Sequence, residues 1–361
     1  MRIKFARTNG SEQICVSKLP YLRGGEQMSI IQVSNLQKTF KVKTKKAGLQ
    51  GSIKSIFSPE YKEIQAVKSI SFDVEKGEVL AFIGPNGAGK STTIKMLTGI
   101  LYPTSGDLSV LGLNPSKDRK KLSYRIGTVF GQKSQLWFHL PPIDSFNLLG
   151  RIYELEDEYL KKRISYLTEL FEIDELLEIP VRKLSLGQRI RCEIAASILH
   201  NPEIIFLDEP TIGLDVVVKH KIRELITRLN KEEETTIFLT SHDAGDIEQM
   251  CKRVMIINHG EVVLDESVKN LKYNYLNQKI IEIKYMEPVE INIPNIKVLK
   301  HKEYAAKVEV DSSICDIDNV IGELMKIGKV ADITISEPPM EDIISNIYQQ
   351  NAKVGGTVEE N

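Results

Sequence analysis

The chain has 361 residues with 48 basic and 49 acidic side chains. It is long enough for two domains that each bury a core, and its net charge of -1 gives no overall field drawing it to anionic lipid or nucleic acid, so no nucleic-acid partner is expected. The four cysteines, Cys15, Cys192, Cys251 and Cys315, form no C-x-x-C pair, which argues against a disulfide framework or a zinc site and suits a reducing compartment. Apolar runs such as Val79 to Ile83 and Ile194 to Leu199 fall far short of the ~20 residues that span a bilayer, and no apolar segment that would serve secretion follows the basic N-terminus.

Residues 1–27 show little periodicity, whereas Met28 leads into the strand-like Ile30-Ile31-Gln32-Val33. Back-translated, Arg23 to Gln27 can be purine-rich throughout, as a ribosome-binding site ahead of a start codon would be. Met28 is therefore a candidate initiator, with an ordinary disordered tail as the alternative. Residues 28–266 alternate short apolar strands with amphipathic helices, the pattern of an α/β domain around a largely parallel sheet. Within them, Lys41 to Glu63 reads as an insertion: Lys41, Lys43, Lys45 and Lys46 precede Ile53, Ile56 and Phe57 at one-turn spacing, which predicts a solvated loop with a short helix, with a membrane or partner contact as the alternative.

Val79 to Ile83 and Ile204 to Leu207 are unbroken apolar runs ending in polar loops, as strands buried on both faces are. Catalytic loops belong at such strand ends. Between about 143 and 200 helical periodicity replaces the strand signals, predicting an inserted helical subdomain. Ile222, Leu225, Ile226 and Leu229 then mark a helix that returns the chain to a strand at Thr236 to Thr240. Residues 267–351 read as a smaller α+β unit: Ala306, Val308 and Val310 alternate as on a half-buried strand, and Ile317, Val320, Ile321 and Leu324 line a helix. Ala331, Ile333 and Ile335 mark another strand, Met340, Ile343, Ile344 and Ile347 another helix, and residues 352–361 a disordered tail.

Gly84-Pro85-Asn86-Gly87-Ala88-Gly89-Lys90-Ser91, followed by Thr92, matches the phosphate-loop pattern G-x-x-x-x-G-K-[ST] between a buried strand and a helix. In that context Gly87 and Gly89 turn backbone N–H groups toward phosphate oxygens, and the helix N-terminus adds partial positive charge. Lys90 reaches the β- and γ-phosphates and Ser91 ligates Mg²⁺. Asp208 and Glu209 end the apolar strand from Ile204. Adjacent strand residues point opposite ways, so they take different tasks: Asp208 holds Mg²⁺, and Glu209 faces the γ-phosphate to orient or deprotonate water.

Leu184-Ser185-Leu186-Gly187-Gln188 starts an amphipathic helix in the inserted segment and is followed by Asp208-Glu209-Pro210. Here the chain resembles the ABC ATPases, whose signature is LSGGQ, with Leu186 in place of the first of its two glycines. The resemblance covers about Ser29 to Asp265 and implies a P-loop ABC ATPase domain with an inserted helical subdomain, joined here to a small C-terminal α+β domain. It implies ATP and Mg²⁺ as cofactors. It also implies that Ser185, Gly187 and Gln188 bind phosphate from a second ATPase subunit, a copy or a paralogue. By the same resemblance Gln132 is the glutamine that touches Mg²⁺ and reports to membrane permease subunits, Asp215 closes the loop from Thr211, His242 contacts the γ-phosphate, and Phe40 stacks on adenine.

Glu337-Pro-Pro-Met-Glu-Asp-Ile343 and Gly131-Gln-Lys-Ser-Gln-Leu-Trp137 resemble stretches of ABC-2-type exporter ATPases, which implies a peripheral location on the cytoplasmic face of the membrane. The alternative within the family is a non-transport ATPase acting as a regulatory or translation-associated switch. Outside it, a GTPase or nucleotide kinase would explain Lys90 but not Ser185 to Gln188 together with His242, and Asn230-Lys-Glu-Glu lacks the GTPase N-K-x-D pattern.

Overall fold

The computed structural model describes residues 29–43, 61–131, 134–274, 278–294 and 296–355. Met28 and the residues before it lie outside these, as do Gln132, residues 44–60 and residues 356–361.

The first layer is a three-stranded antiparallel sheet of β1 (Ser29–Lys43), β2 (Tyr61–Glu75) and, across β1 from β2, β4 (Ser105–Val110). The expected insertion is thus shorter than the lysine pattern suggested. Lys41 pairs with Glu63 and Lys43 with Tyr61, so both ends of the presumed loop extend the hairpin. The Lys41 ammonium lies 3.4 Å from the Glu63 carboxylate, a favourable cross-strand charge pair. Ile53, Ile56 and Phe57 lie outside the described residues.

The second layer is a six-stranded sheet in the order β5-β6-β7-β3-β8-β9. It comprises β3 (Val79–Ile83), β5 (Ile126–Phe130), β6 (Ile204–Asp208), β7 (Thr236–Thr240), β8 (Arg253–Asn258) and the antiparallel edge β9 (Glu261–Ser267). The four pairings among β5, β6, β7, β3 and β8 are all parallel. Side chains alternate between two cores. Val79, Ala81, Ile83, Ile205, Leu207, Ile237 and Leu239 face one, and Leu80, Phe82, Ile204, Phe206 and Phe238 face the other, shared with the three-stranded sheet. That division is why these strands read as unbroken apolar runs. Phe82, Phe206 and Phe238 pack with ring centroids 5.3 to 5.6 Å apart.

Helix α1 (Lys90–Leu97) follows β3, and α2 (Arg119–Ser123) precedes β5. Three helices, α3 (Pro142–Ile152), α4 (Asp157–Phe171) and α5 (Leu186–Ser197), fill the region between β5 and β6. The helix that returns to β7 is α6 (Val216–Glu233), with Ile222, Leu225, Ile226 and Leu229 all buried. Helix α7 (Ala244–Met250) links β7 to β8, and α8 (Val268–Asn274) follows β9.

A separate four-stranded antiparallel sheet, β11-β12-β10-β13, is built from β10 (Gln278–Tyr285), β11 (Lys297–Lys302), β12 (Ala305–Asp311) and β13 (Val330–Ser336). Helix α9 (Ile317–Ile327) supplies Val320 and Leu324 to its core, and the Tyr285 hydroxyl donates to Leu324 O at 2.9 Å. Ala331, Ile333 and Ile335 form the expected strand, and all three side chains are exposed, because β13 is an edge strand and α9 covers the centre of the sheet. The last part of the chain needs correction. The last helix, α10 (Met340–Gly355), buries Met340, Ile343, Ile344 and Ile347 in the main core under the six-stranded sheet rather than in the small sheet. It is helical through Gly355, past the expected start of a tail at 352, as alanine and lysine in this stretch favour.

Candidate functional site

Three parallel strands, β3, β6 and β7, deliver their C-terminal ends to one place, as open α/β sheets do. From β3 the chain turns through Gly84, Pro85, Asn86, Gly87 and Ala88 into α1, whose N-cap is Gly89. Gly89 has φ 111, and a Cβ there would stand 2.5 Å from Ala66 O on β2, so only glycine fits. Strand β2 presses on the loop at this point. Phe40 lies close in register: it pairs with Ile64, two residues before Ala66, and Lys38 holds its ammonium 5.2 Å from the ring centroid.

Lys90 is 5% exposed. Its ammonium donates to Gly84 O at 2.6 Å and Pro85 O at 3.3 Å, and lies 3.0 Å from His242 Nε2 and 3.9 Å from Glu209 Oε1. Burial holds its pKa below the ordinary lysine value, although the negative charges of Glu209 and Asp208 pull it back up. Ser91 donates to Asp208 Oδ2 at 3.1 Å, and Thr240, from the end of β7, donates to Asp208 Oδ1 at 2.6 Å.

Glu209 sits 2.8 Å from His242 Nε2 with φ 56. The left-handed backbone costs a non-glycine residue about 1–3 kcal/mol and persists only where surrounding bonds enforce it. Two such bonds run from its N–H, to Thr240 O at 3.0 Å and Thr240 Oγ1 at 3.1 Å. The twist turns Glu209 away from Asp208 and toward Lys90 and His242. Nε2 of His242 cannot donate to Glu209 and accept from Lys90 at once, so the three groups share one contested proton position.

The segment after β5 is anchored here too. Gly131 N donates to Asp208 O at 2.9 Å, and Ser134 and Gln135 bond to the buried carboxylate of Glu193 on α5. Gln132 lies between them, outside the described residues.

Ser185 and Gln188 form a reciprocal cap at the start of α5: Gln188 N donates to Ser185 Oγ at 3.2 Å and Ser185 N to Gln188 Oε1 at 2.9 Å. Among the described residues, no bond from Ser185 or Gln188 reaches the Lys90 cluster of the same chain. A Cβ at Gly187 would stand 2.4 Å from Val218 Cγ1 on α6, which requires glycine at that approach. The Leu186 side chain lies against the loop after Glu209, 3.3 Å from where a Cβ of Gly213 would be, so the leucine that replaces glycine packs within its own chain. Asp215 caps α6, accepting from Val218 N at 3.0 Å.

Sequence reasoning missed Thr240, which holds both Asp208 and Glu209. It also missed Asp246, a fully buried carboxylate on α7. The visible signal was a polar cluster, Thr240-Ser241-His242-Asp243, at the end of an apolar strand.

A family profile described as ABC transporter matches residues 67–212. The chain is 32% identical over 230 residues to the ABC transporter ATP-binding protein NatA of Bacillus subtilis, covering 64% of this chain and 92% of that protein. It is 32% identical over 315 residues to the bacitracin transport ATP-binding protein BcrA of Bacillus licheniformis, covering 82% of this chain and 95% of that one. Among solved structures it is similar to the dimeric, post-hydrolysis ATP-binding cassette MJ0796 bound to ADP and Pi, with TM-score 0.55 and 26% identity over 66% of this chain and 98% of that chain.

Proposed function

Since the chain belongs to the ATP-binding proteins of ABC transporters, we propose that it hydrolyses ATP at the Lys90, Asp208, Glu209 and His242 cluster and drives transport through separate membrane permease subunits. The observation that carries this reading is the convergence of a phosphate-loop lysine, a strand-end carboxylate pair and a histidine at the ends of β3, β6 and β7.

The residues fit a triphosphate. A Cβ at Gly87 would meet nothing within 4 Å, leaving open space beside the N–H groups at the start of α1, and Lys90 stands behind it as a buried cation. A phosphate oxygen accepting from Lys90 frees His242 Nε2 to donate to the γ-phosphate or to Glu209, which resolves the contest for one proton. Glu209, enforced in its twisted conformation, orients and deprotonates the attacking water. Thr92, next in α1, extends the same N-terminal turn toward the phosphates, and Phe40 supplies an aromatic face for the adenine.

Ser91 Oγ and the Asp208 carboxylate are hard oxygen donors of the kind Mg²⁺ takes, with Gln132 proposed as a further one. Among the described residues no group of three or more His, Cys, Asp or Glu is placed to hold a metal, in keeping with an ion bound largely by nucleotide phosphates. When bound, Mg²⁺ neutralises charge developing on the transferred phosphoryl group.

Ser185, Gly187 and Gln188 are proposed to act on ATP held by a second subunit. Support comes from their position: the α5 N-terminus carries partial positive charge, Ser185 is exposed, and its bonds do not reach its own Lys90 cluster. Asp215 belongs to the loop facing that partner. Among the described residues no helix is long and apolar enough to cross a membrane; a peripheral place on the cytoplasmic face is proposed from the similarity to transporter ATP-binding proteins. An exporter of the ABC-2 type is the reading supported by similarity to the bacitracin transport protein.

The test is Glu209→Gln in purified protein. Phosphate release should slow by about 10²- to 10⁴-fold while ATP binding persists and an ATP-dependent dimer accumulates on size exclusion. Ordinary turnover in that variant would remove Glu209 from the mechanism.

A further inference from the structure

We infer that Asp246, whose side chain bonds to Thr211, Ser241 and Arg223 and to none of Lys90, Asp208, Glu209 and His242, is a positioning residue that sets the spacing between Glu209 and His242; this rests on the hydrolytic reading above. Asp246 is 0% exposed. One of its oxygens, Oδ2, accepts from Thr211 Oγ1 at 2.6 Å and from the Ser241 hydroxyl. The other, Oδ1, accepts from Arg223 Nε at 2.6 Å. A single carboxylate therefore ties together the loop after β6, the loop after β7 and helix α6.

The ties fall on both sides of the two reacting side chains. Glu209 is held on one side by Thr240 through its own N–H and on the other, two residues on, by Thr211. His242 is flanked by Ser241, bonded to Asp246, and by Asp243. That second carboxylate accepts from Arg223 Nη2 at 2.8 Å and from Lys219 Nζ, while Asp243 N donates to Ser241 Oγ at 2.9 Å. The left-handed backbone at Glu209 needs such over-determination to persist. Arg223 supplies the counter-charge that a buried carboxylate requires, and its guanidinium is so closely enclosed that a Cβ at Gly245 would stand 2.9 Å from it.

The 2.8 Å contact between Glu209 and His242 is the quantity this carboxylate controls. Loosening one tie leaves both side chains present and the phosphate loop untouched, so turnover suffers and nucleotide binding does not. The hydroxyl of Thr211 reaches Asp246 and nothing in the nucleotide cradle, which makes it the cleanest place to cut.

The experiment is steady-state ATP hydrolysis by the full chain carrying Thr211→Val, Thr211→Ser or Asp246→Asn, with folding checked by a cooperative melting transition above the assay temperature. Thr211→Val, which keeps the shape and removes the hydroxyl, should lower kcat by about tenfold to a hundredfold, the scale of a small misplacement of reacting groups. KM for ATP should stay within roughly threefold. Thr211→Ser, which keeps the hydroxyl, should recover most of the rate, and Asp246→Asn, which loses the charge facing Arg223, should resemble Thr211→Val. Wild-type kcat in folded Thr211→Val, or a Thr211→Ser variant as slow as Thr211→Val, would overturn the inference. Should Asp246→Asn fail to fold, the Thr211 pair decides alone. Glu209→Gln run alongside separates the two claims: if it is slow while Thr211→Val is normal, only the positioning role falls, and if it turns over normally, the hydrolytic assignment falls with it.

Discussion

The two larger sheets of this protein are put to different uses. In the six-stranded sheet, parallel strands buried on both faces must reconnect through helices, so their C-terminal ends finish together in loops. Lys90, Asp208, Glu209 and His242 lie at those ends. In the four-stranded sheet, antiparallel neighbours hold one another's charges in cross-strand pairs. Lys284 faces Asp332 at 3.2 Å, Lys297 faces Glu309 at 3.2 Å, and Lys307 faces Glu282 at 2.9 Å. Charge that is concentrated for chemistry in one sheet is neutralised pairwise in the other. The contrast follows from connectivity rather than composition.

Helix α10 complicates the contrast, since it follows the small sheet in the chain but packs beneath the large one. Ile343→Ala should therefore destabilise the nucleotide-binding region itself, by about 2–5 kcal/mol, read as an earlier denaturation midpoint that shifts in parallel with loss of nucleotide binding. A midpoint shift confined to the C-terminal sheet would restore a simple division into two units. Lys90→Ala tests the other side of the contrast. Loss of charge-assisted bonds to phosphate, about 1.5–3 kcal/mol, should weaken ATP binding by roughly tenfold to a hundredfold in a titration while the C-terminal sheet melts unchanged.

Acid sensitivity should arise at the large sheet as well. His200 stacks on Tyr153 with ring centroids 3.8 Å apart, and its Nε2 lies 3.0 Å from Ile126 O. Burial pushes its pKa down to about 4, with Arg163 contributing and the Ile126 carbonyl opposing. The unfolded chain takes up this proton near pH 6.5 and the folded one does not until about pH 4, so stability falls as pH drops through that window. The loss is on the order of 1–3 kcal/mol, and His200→Gln should flatten the pH dependence of the denaturation midpoint. The smallest effect belongs to the edge of the small sheet. Ile335, 47% exposed, should tolerate alanine within about 0.5 kcal/mol.

Much of the site was legible because its parts are local in sequence. A phosphate loop is one strand, one turn and the first turn of a helix, and Gly84 to Ser91 contain all of it. Asp208-Glu209 and the Ser185 cap are equally short-range. Thr240 and Asp246 were not legible, since a threonine or aspartate says nothing of its partner until β6 and β7 are laid side by side with Asp208 opposite Thr240. The left-handed turn at Glu209 was likewise invisible, being enforced by bonds from another strand. The lysine-rich stretch from Lys41 misled because strand extension there comes from cross-strand pairing, which a one-dimensional pattern does not record.

By itself the sequence determined which segments are buried on two faces, where the phosphate loop lies and which family supplies the chemistry, because periodicity and short motifs are properties of neighbouring residues. Tertiary structure alone decided that β13 leaves Ile333 and Ile335 exposed, that α10 returns to the main core, and that one buried carboxylate spans the loops bearing Glu209 and His242. These depend on which surfaces meet, and an apolar stripe or a lone aspartate is compatible with several partners until packing selects one.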